Sequence, residues 1–149
     1  CNDFYKGEAE YQTIRAIKKA VSIPVVANGD ITNAQKAAQV LDYTGADAIM
    51  VGRGAQGRPW IFREINYFLE TGQQLASPSM DEIRSIVIEH VKELHKFYGD
   101  FMGVRFARKH VSWYLQTLGQ EKQFRSIFNA LESEQQQLDA LTSFFDNLH

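Results

Sequence analysis

The chain has 149 residues with a formal net charge of −2, and 44% of its residues are hydrophobic. This composition is typical of one ordinary globular domain or two small ones, with no membrane-length apolar run and no excess of charge that would point to a nucleic-acid partner. The lack of a long apolar run predicts no membrane segment. A single cysteine allows no internal disulfide, so we expect a reducing compartment such as the cytoplasm.

The first part of the chain has a strand–helix–strand pattern. Apolar residues at helical spacing predict a helix over residues 7–21, which is followed by an apolar strand over residues 23–30 that ends in Asn-Gly-Asp. After another helical pattern, a similar strand over residues 46–54 ends in Gly-Arg-Gly. Because both strands are apolar on both faces, we expect a parallel pair that is buried within a larger sheet.

The helices next to these strands carry recognisable end signals. Thr32 and Gln35 form a capping box for the helix between the strands, and Gly45 is expected just after the end of that helix. The helix that follows the second strand is expected to begin near Pro59 and to end at Gly72. These signals predict an α/β arrangement for this part of the chain.

The pattern becomes entirely helical after residue 72. Residues 71–78 contain turn formers and no charge, so they predict a boundary between domains. We therefore expect one domain at residues 1–72, a linker at residues 73–78 and a second domain at residues 79–149.

Four amphipathic helices with short connections predict a small bundle for the second domain. The first is expected to begin at a capping box of Ser79 with Glu82 and to end at Gly99. The last is expected to begin at Ser133, with Gln136 as its capping partner. The fold class predicted for the whole chain is thus α/β followed by all-α.

The two strand ends suit a phosphate group. Glycines let backbone N–H groups approach a phosphate closely, and an arginine adds a charge-assisted contact. The candidate residues are Asn28, Gly29, Asp30, Gly52 and Arg53. In a (β/α)8 barrel the loops after the last two strands form such a site, which favours the C-terminal part of a TIM barrel. The alternative is an ordinary Asn-Gly-Asp turn and a solvated arginine.

A basic helix is predicted in the second domain. Residues 103–125 contain five basic residues and one acidic residue, whereas residues 126–149 contain four acidic residues and no Lys or Arg. On a helical wheel, the candidate RNA-binding residues beside the apolar face are Arg105, Arg108, Lys109 and Trp113. Cations of this kind contact phosphates, and aromatic rings stack on exposed bases. The alternative is a solvated face with the tryptophan packed against another helix.

Several local sequences resemble those of one enzyme family. They are Glu8-Ala9-Glu10-Tyr11, residues 24–31 (PVVANGDI), Thr44-Gly45-Ala46-Asp47, residues 52–60 (GRGAQGRPW) and residues 105–114 (RFARKHVSWY). Together they resemble bacterial tRNA-dihydrouridine synthases, most closely the B type, over nearly the whole chain. Members of this family join an FMN-binding TIM barrel to a small C-terminal helical domain.

The resemblance implies an oxidoreductase that reduces the C5–C6 bond of particular uridines in tRNA, with NADPH restoring the flavin. It also implies that the five loop residues hold the phosphate end of FMN and that the helical domain docks tRNA. The family's catalytic cysteine lies in the N-terminal part of the barrel, and Cys1 does not match it. We therefore expect the C-terminal part of such an enzyme, with no catalytic residue of its own and no activity in isolation.

Two other functions stay open. The chain could belong to a different phosphate-binding barrel oxidoreductase that acts on a small molecule, or it could be a helical RNA-binding or assembly module. Two strands without neighbours leave open edges. We expect the missing barrel segment, or another copy of the chain, to cover them. The histidines are too scattered in sequence to predict a metal site.

Overall fold

A computed structural model describes residues 3–120 and 122–148, with side chains from Glu10 onward. Cys1 and the Glu8 side chain lie outside this description. The chain divides into two compact units, Cys1–Ala76 and Ser77–His149, and each is described by itself. Within the described residues, no helix is both long enough and apolar enough to cross a membrane.

The first unit alternates helices with two short strands. Its elements are α1 (Asp3–Ala20), β1 (Val26–Asn28), α2 (Ala34–Thr44), β2 (Ala48–Met50), a 3-10 turn (Arg53–Ala55) and α3 (Ile61–Thr71). The two strands pair in parallel, with Ala27 opposite Ile49. The predicted parallel strand–helix–strand unit is therefore confirmed, although each strand has only three residues.

The burial predicted for the strands is wrong in this structure. Ala27 is fully buried, whereas the side chains of Val26 and Met50 lie 58% and 54% exposed. The sheet contains only β1 and β2 within the described residues, so no further strand covers its edges. The covered face belongs to a core of eight buried residues: Tyr11, Ala27, Ile31, Ala34, Ala37, Val40, Ile61 and Ile65. This core attaches the helices to one face of the strand pair.

The helix starts of the first unit differ from the prediction. Helix α1 begins at Asp3, four residues before the predicted start. Asn33, not Thr32, caps α2, because its extended backbone lets its side-chain oxygen accept the Lys36 N–H at 2.8 Å. The third helix begins at Ile61, since Pro59 lies in the preceding turn rather than in the first helical turn.

The predicted glycine stops of these helices are confirmed. Gly45 and Gly72 adopt left-handed conformations with φ of 67° and 70°, and they end α2 and α3. Each donates its backbone N–H to a carbonyl of the last helical turn, which satisfies a group that the helix would otherwise leave unpaired.

The described residues of the second unit form a helical hairpin, α4 (Met80–Leu118), and two further helices, α5 (Lys122–Asn129) and α6 (Glu134–Asp146). Gly99 interrupts α4 with φ 83° and ψ 178°. His90 and Tyr114 nevertheless lie in hydrogen-bond contact at 2.8 Å. A straight helix would separate them by about 36 Å, so the chain reverses at Gly99 and the two arms pack antiparallel.

The helix starts predicted for the second unit are confirmed. Ser79 caps α4 by accepting the Glu82 N–H, and Ser133 caps α6 by accepting the Gln136 N–H, both at 3.2 Å. The break at Gly99 agrees with the predicted helix end there.

A buried polar network joins the hairpin to α6. Gln137 is fully buried and donates through Nε2 to the Val104 carbonyl at 3.0 Å, while its Oε1 lies 2.7 Å from His95 Nε2. Since Oε1 can only accept, His95 must carry its proton on Nε2. Gly103 lies against the backbone of His95, which brings the two arms of α4 very close at this level.

Candidate functional sites

The first candidate site is an open cleft of about 930 Å³ at the carboxyl ends of β1 and β2. All five loop residues predicted for the phosphate line it: Asn28, Gly29, Asp30, Gly52 and Arg53. The parallel pairing of the strands explains this convergence, because both chains leave the sheet at the same edge. Arg53 and Gly54 open a short 3-10 turn, and the N–H groups at the start of such a turn have no acceptor within it.

Two glycines allow the loops to approach each other and α1. A Cβ at Gly54 would fall on the carbonyl oxygen of Ile31, in the loop that follows β1. A Cβ at Gly29 would lie 2.6 Å from the Tyr11 hydroxyl. At Gly52, by contrast, a Cβ would meet nothing within 4 Å, so the cleft is open above that residue. Gly29 and Gly54 therefore permit close contacts that a side chain would prevent, and Gly52 exposes its backbone to the cleft.

Arg53 forms an ion pair across the cleft. Its Nη2 lies 2.8 Å from Asp30 Oδ1, and the two side chains are 82% and 81% exposed. Ion pairs so exposed to water contribute little to stability. Arg53 can therefore exchange this partner for an anionic ligand at small energetic cost, with Asp30 still close enough to orient the guanidinium.

Helix α1 supplies a side of the cleft that sequence reasoning missed. Glu10, Thr13 and Ile14 line it, and the ring of Tyr11 is buried against Gly29. Burial raises the pKa of Tyr11, and the charges of Asp30 and Glu10 raise it further. The hydroxyl therefore stays protonated at neutral pH. Tyr11 lies on an apolar helical stripe, which predicts a core residue rather than a site residue, and the Glu8-Ala9-Glu10-Tyr11 sequence pointed to the family without assigning the tyrosine a role.

Asp47 ties α1 to the start of the strand pair. Its carboxylate accepts hydrogen bonds from Lys18 Nζ at 2.7 Å and from the Val25 N–H at 2.8 Å. These two bonds, that of Lys18 foremost, lower the pKa of Asp47 below its ordinary value. The carboxylate is thus ionised at neutral pH, which keeps α1 in place beside the cleft.

The second candidate site is the basic helix arm after Gly99. Arg105 and Lys109 are exposed, as the helical wheel predicts. Arg108 is half-buried, and its Nη2 donates to the Leu131 carbonyl at 2.8 Å. Trp113 is half-buried as well, with Lys109 Nζ 5.1 Å from its ring centroid. The arrangement leaves two solvent-facing cations beside a tryptophan, and it gives the third cation a structural role.

Two histidines accompany this tryptophan. The His110 ring contacts both His90 and Trp113 edge-on, at centroid distances of 4.7 and 5.1 Å. Desolvation lowers the pKa of both histidines, and their mutual repulsion and Lys109 lower that of His110 further. Both rings are thus neutral at pH 7, so the positive charge of this face comes from arginine and lysine. The described residues contain no group of three or more His, Cys, Asp or Glu that could hold a metal ion.

Comparison with known proteins gives one consistent result. The family model for dihydrouridine synthase (Dus) matches residues 2–149. The tRNA-dihydrouridine synthase B of Pectobacterium carotovorum is 59% identical over 144 residues, which is 97% of this chain and 45% of the relative. The protein of the same description from Vibrio cholerae gives the same figures, and that from Salmonella typhimurium is 58% identical over 143 residues, or 96% of this chain and 44% of the relative. The chain thus spans less than half the length of these relatives.

Proposed function

The chain belongs to the dihydrouridine synthase family, and we propose that it supplies the FMN-phosphate site and the tRNA-docking surface of a tRNA-dihydrouridine synthase. The intact protein would be a cytoplasmic flavoprotein oxidoreductase that reduces the C5–C6 bond of uridines in tRNA with NADPH. The observation that carries this proposal is the convergence of two glycine-bearing loops on one cleft at the ends of parallel strands. In a TIM barrel, this edge binds the phosphate.

The loop residues fit the phosphate end of FMN. The bare backbone at Gly52 and the N–H groups that open the 3-10 turn suit an anion, and Arg53 adds a charge-assisted contact. Asn28, Gly29 and Asp30 bound the other side of the cleft. When bound, the flavin would supply the hydride chemistry. The residues of this chain bind and orient its phosphate end, while the catalytic cysteine would lie in the part of the enzyme that precedes them.

The exposed strand residues fit this assignment as well. Val26 and Met50 are apolar side chains that a free surface would leave in water. In a complete barrel, adjoining strands and helices cover both faces and both edges of each strand. The rest of the barrel is therefore the partner that we propose for this open sheet.

The tRNA-docking surface would be the face formed by Arg105, Lys109 and Trp113. We expect the double variant Arg105→Ala, Lys109→Ala of the intact protein to bind tRNA roughly 10-fold more weakly at low salt. Each lost phosphate contact should also reduce the slope of log Kd against log salt by about one. Arg108 is left in place because its hydrogen bond to the Leu131 carbonyl supports the fold. Fluorescence anisotropy with an unmodified tRNA transcript, measured across a salt series, gives both quantities.

The matched control removes two cations from the other arm of α4, with Lys92→Ala and Lys96→Ala, which are both exposed. It should leave the slope nearly unchanged. If both double variants change the salt slope equally, the attraction is a property of net charge. In that case the Arg105 face is no docking surface.

Arg53 provides the test of the cofactor site. We expect Arg53→Ala in the intact protein to weaken FMN binding by about 1–3 kcal/mol, because a charge-assisted contact is lost. The fold should be unaffected, since the Arg53–Asp30 ion pair that is lost is largely exposed to water. Arg63→Ala, an exposed arginine on α3, is the control. Flavin content after dialysis, with Kd from quenching of flavin fluorescence, measures the effect, and equal flavin retention in the two variants would refute the assignment.

A further inference from the structure

The helical unit contains a second, smaller cleft whose chemistry is unlike that of the basic face. It has a volume of about 430 Å³, and the residues that line it are Asp100, Phe101, Val104, Arg105, Arg108 and Glu132. The first five follow the Gly99 turn, and Glu132 comes from the loop before α6. Such a space accommodates one nucleobase with its sugar and is too small for a folded partner.

One wall of the cleft is an exposed aromatic ring. Phe101 is 67% exposed, and the Arg105 guanidinium carbon lies 5.5 Å from its ring centroid. A large apolar side chain in water, next to a planar cation, is a surface that a base can stack on, because aromatic and guanidinium planes both stack on unpaired bases. The wall is therefore suited to a flat, polar aromatic ligand.

The remaining lining carries charges of both signs that do not neutralise each other. Within the described residues, Arg105, Asp100 and Glu132 form no ion pair. Arg108 also lines the cleft, and its buried Nε has no hydrogen-bond partner. A buried donor without a partner lowers the stability of the fold. A phosphate would fit the arginines but would be repelled by the two carboxylates. The ligand must instead offer donors to a carboxylate and acceptors to an arginine.

We propose that this cleft binds an unpaired guanine of the tRNA, a role that rests on the proposed tRNA-docking function. Guanine is the base that presents two donors, N1–H and N2–H, on one edge and two acceptors, O6 and N7, on the other. The Glu132 carboxylate accepts the two donors, Arg105 donates to the acceptors, and the base stacks on the part of the Phe101 ring that the Arg105 guanidinium leaves exposed. Arg105 therefore contacts the base in this arrangement, and Lys109 supplies the phosphate contact of the docking face. Gln136 holds the backbone at Glu132 in place, because its Oε1 accepts the Glu132 N–H at 3.3 Å.

The sign of one substitution tests the proposal. Glu132→Gln removes a negative charge beside a polyanion, so a purely electrostatic surface would bind tRNA more tightly. Guanine recognition requires the opposite, since the glutamine amide puts a donor against N1–H and N2–H. In the intact protein we expect tRNA affinity about 10-fold weaker for Glu132→Gln. Glu93→Gln, the same change at an exposed position on α4, should leave affinity equal or slightly higher.

A second substitution, in the RNA, shows whether the contact is with guanine. Inosine lacks the N2 amino group, so replacing the recognised loop guanosine by inosine should weaken wild-type binding several-fold and have little effect on Glu132→Gln. Each unpaired guanosine of the transcript is replaced in turn. Tighter binding by Glu132→Gln, or equal inosine penalties in both proteins at every position, overturns the guanine site.

Binding of guanosine monophosphate (GMP) tests the guanine site independently of the proposed tRNA-docking function. We expect GMP, and not AMP, to shift the amide resonances of Phe101 and Glu132 in NMR spectra of the full chain. The absence of those shifts also overturns the guanine site. If the shifts occur but the intact protein binds no tRNA, the tRNA-docking function fails and the guanine site stands. If tRNA binds with the expected salt slope but GMP gives no shift, only the guanine site fails.

Discussion

We expect Gly103→Ala to lower the free energy of unfolding of the helical unit by about 2–3 kcal/mol, because a side chain there overpacks the hairpin. A Cβ at Gly103 would lie 2.8 Å from both His95 Cα and the Leu94 carbonyl oxygen. These are backbone atoms of the opposite arm, which cannot rotate out of the way. The arms must separate, and because Gln137 is bonded to His95 in one arm and to the Val104 carbonyl in the other, at least one of these two buried hydrogen bonds must lengthen.

The sign of the change in stability shows whether the close contact at Gly103 or the helix propensity of alanine dominates. Alanine is a better helix former than glycine by about 1 kcal/mol, so without the close approach the variant would be more stable. Thermal unfolding of the full chain, followed by circular dichroism at 222 nm, should show a Tm of the helical unit lower by about 10 °C. Gly119→Ala, at the end of α4, is the control, since its Cβ would meet nothing within 4 Å and its left-handed φ of 68° should cost only about 1 kcal/mol. An unchanged or raised Tm for Gly103→Ala would show that the arms do not meet there.

Helix ends were predictable because their signals are local. The serine caps at Ser79 and Ser133 and the glycines at Gly45, Gly72 and Gly99 act through backbone hydrogen bonds or a left-handed φ within a few residues. Such interactions involve only residues that are close together in the sequence, so the sequence is enough to predict them. The cap of α2 was missed because Thr32 and Asn33 are both good caps. The choice between them depends on where the chain leaves the loop, which is set by packing.

The candidate sites were predictable to the extent that each lies on one element or one strand edge. The proximity of the loops after β1 and β2 could be predicted, because parallel strands end at the same edge of a sheet. Tyr11 and Glu132 could not, since they reach their sites from elements distant in sequence. A helical wheel likewise placed Arg108 beside Arg105 but could not show the Leu131 carbonyl, 23 residues away, that binds it.

The exposure of the strand pair was also missed because burial depends on elements distant in sequence. A strand with apolar residues on both faces is stable where other elements cover both faces. The pattern does not show whether those covering elements belong to the same stretch of chain. A larger sheet around Val26 and Met50 therefore stays a prediction, because β1 and β2 are the only strands of the described residues.

Gly54→Ala should disable the cofactor site more completely than the loss of Arg53. The new methyl group would fall on the Ile31 carbonyl oxygen, so the loop after β2 must move away from the loop after β1. The flavin phosphate would then lose backbone contacts from one loop as well as the charge-assisted contact of Arg53. With about 3–4 kcal/mol lost in total, we expect FMN affinity of the intact protein to fall by a few hundred-fold. Flavin absorbance after dialysis and the Kd for added FMN measure this loss.

The control for that experiment is a glycine of the same unit that faces no neighbour. Gly72→Ala places a Cβ in open space at φ 70°, so it should cost about 1 kcal/mol of stability through backbone strain and leave FMN affinity unchanged. If Gly72→Ala releases flavin as Gly54→Ala does, general destabilisation explains both, and the loop contact has no special role. If Gly54→Ala retains flavin with an unchanged Kd, the two loops do not hold the phosphate together. The cleft at the ends of β1 and β2 then is not the cofactor site.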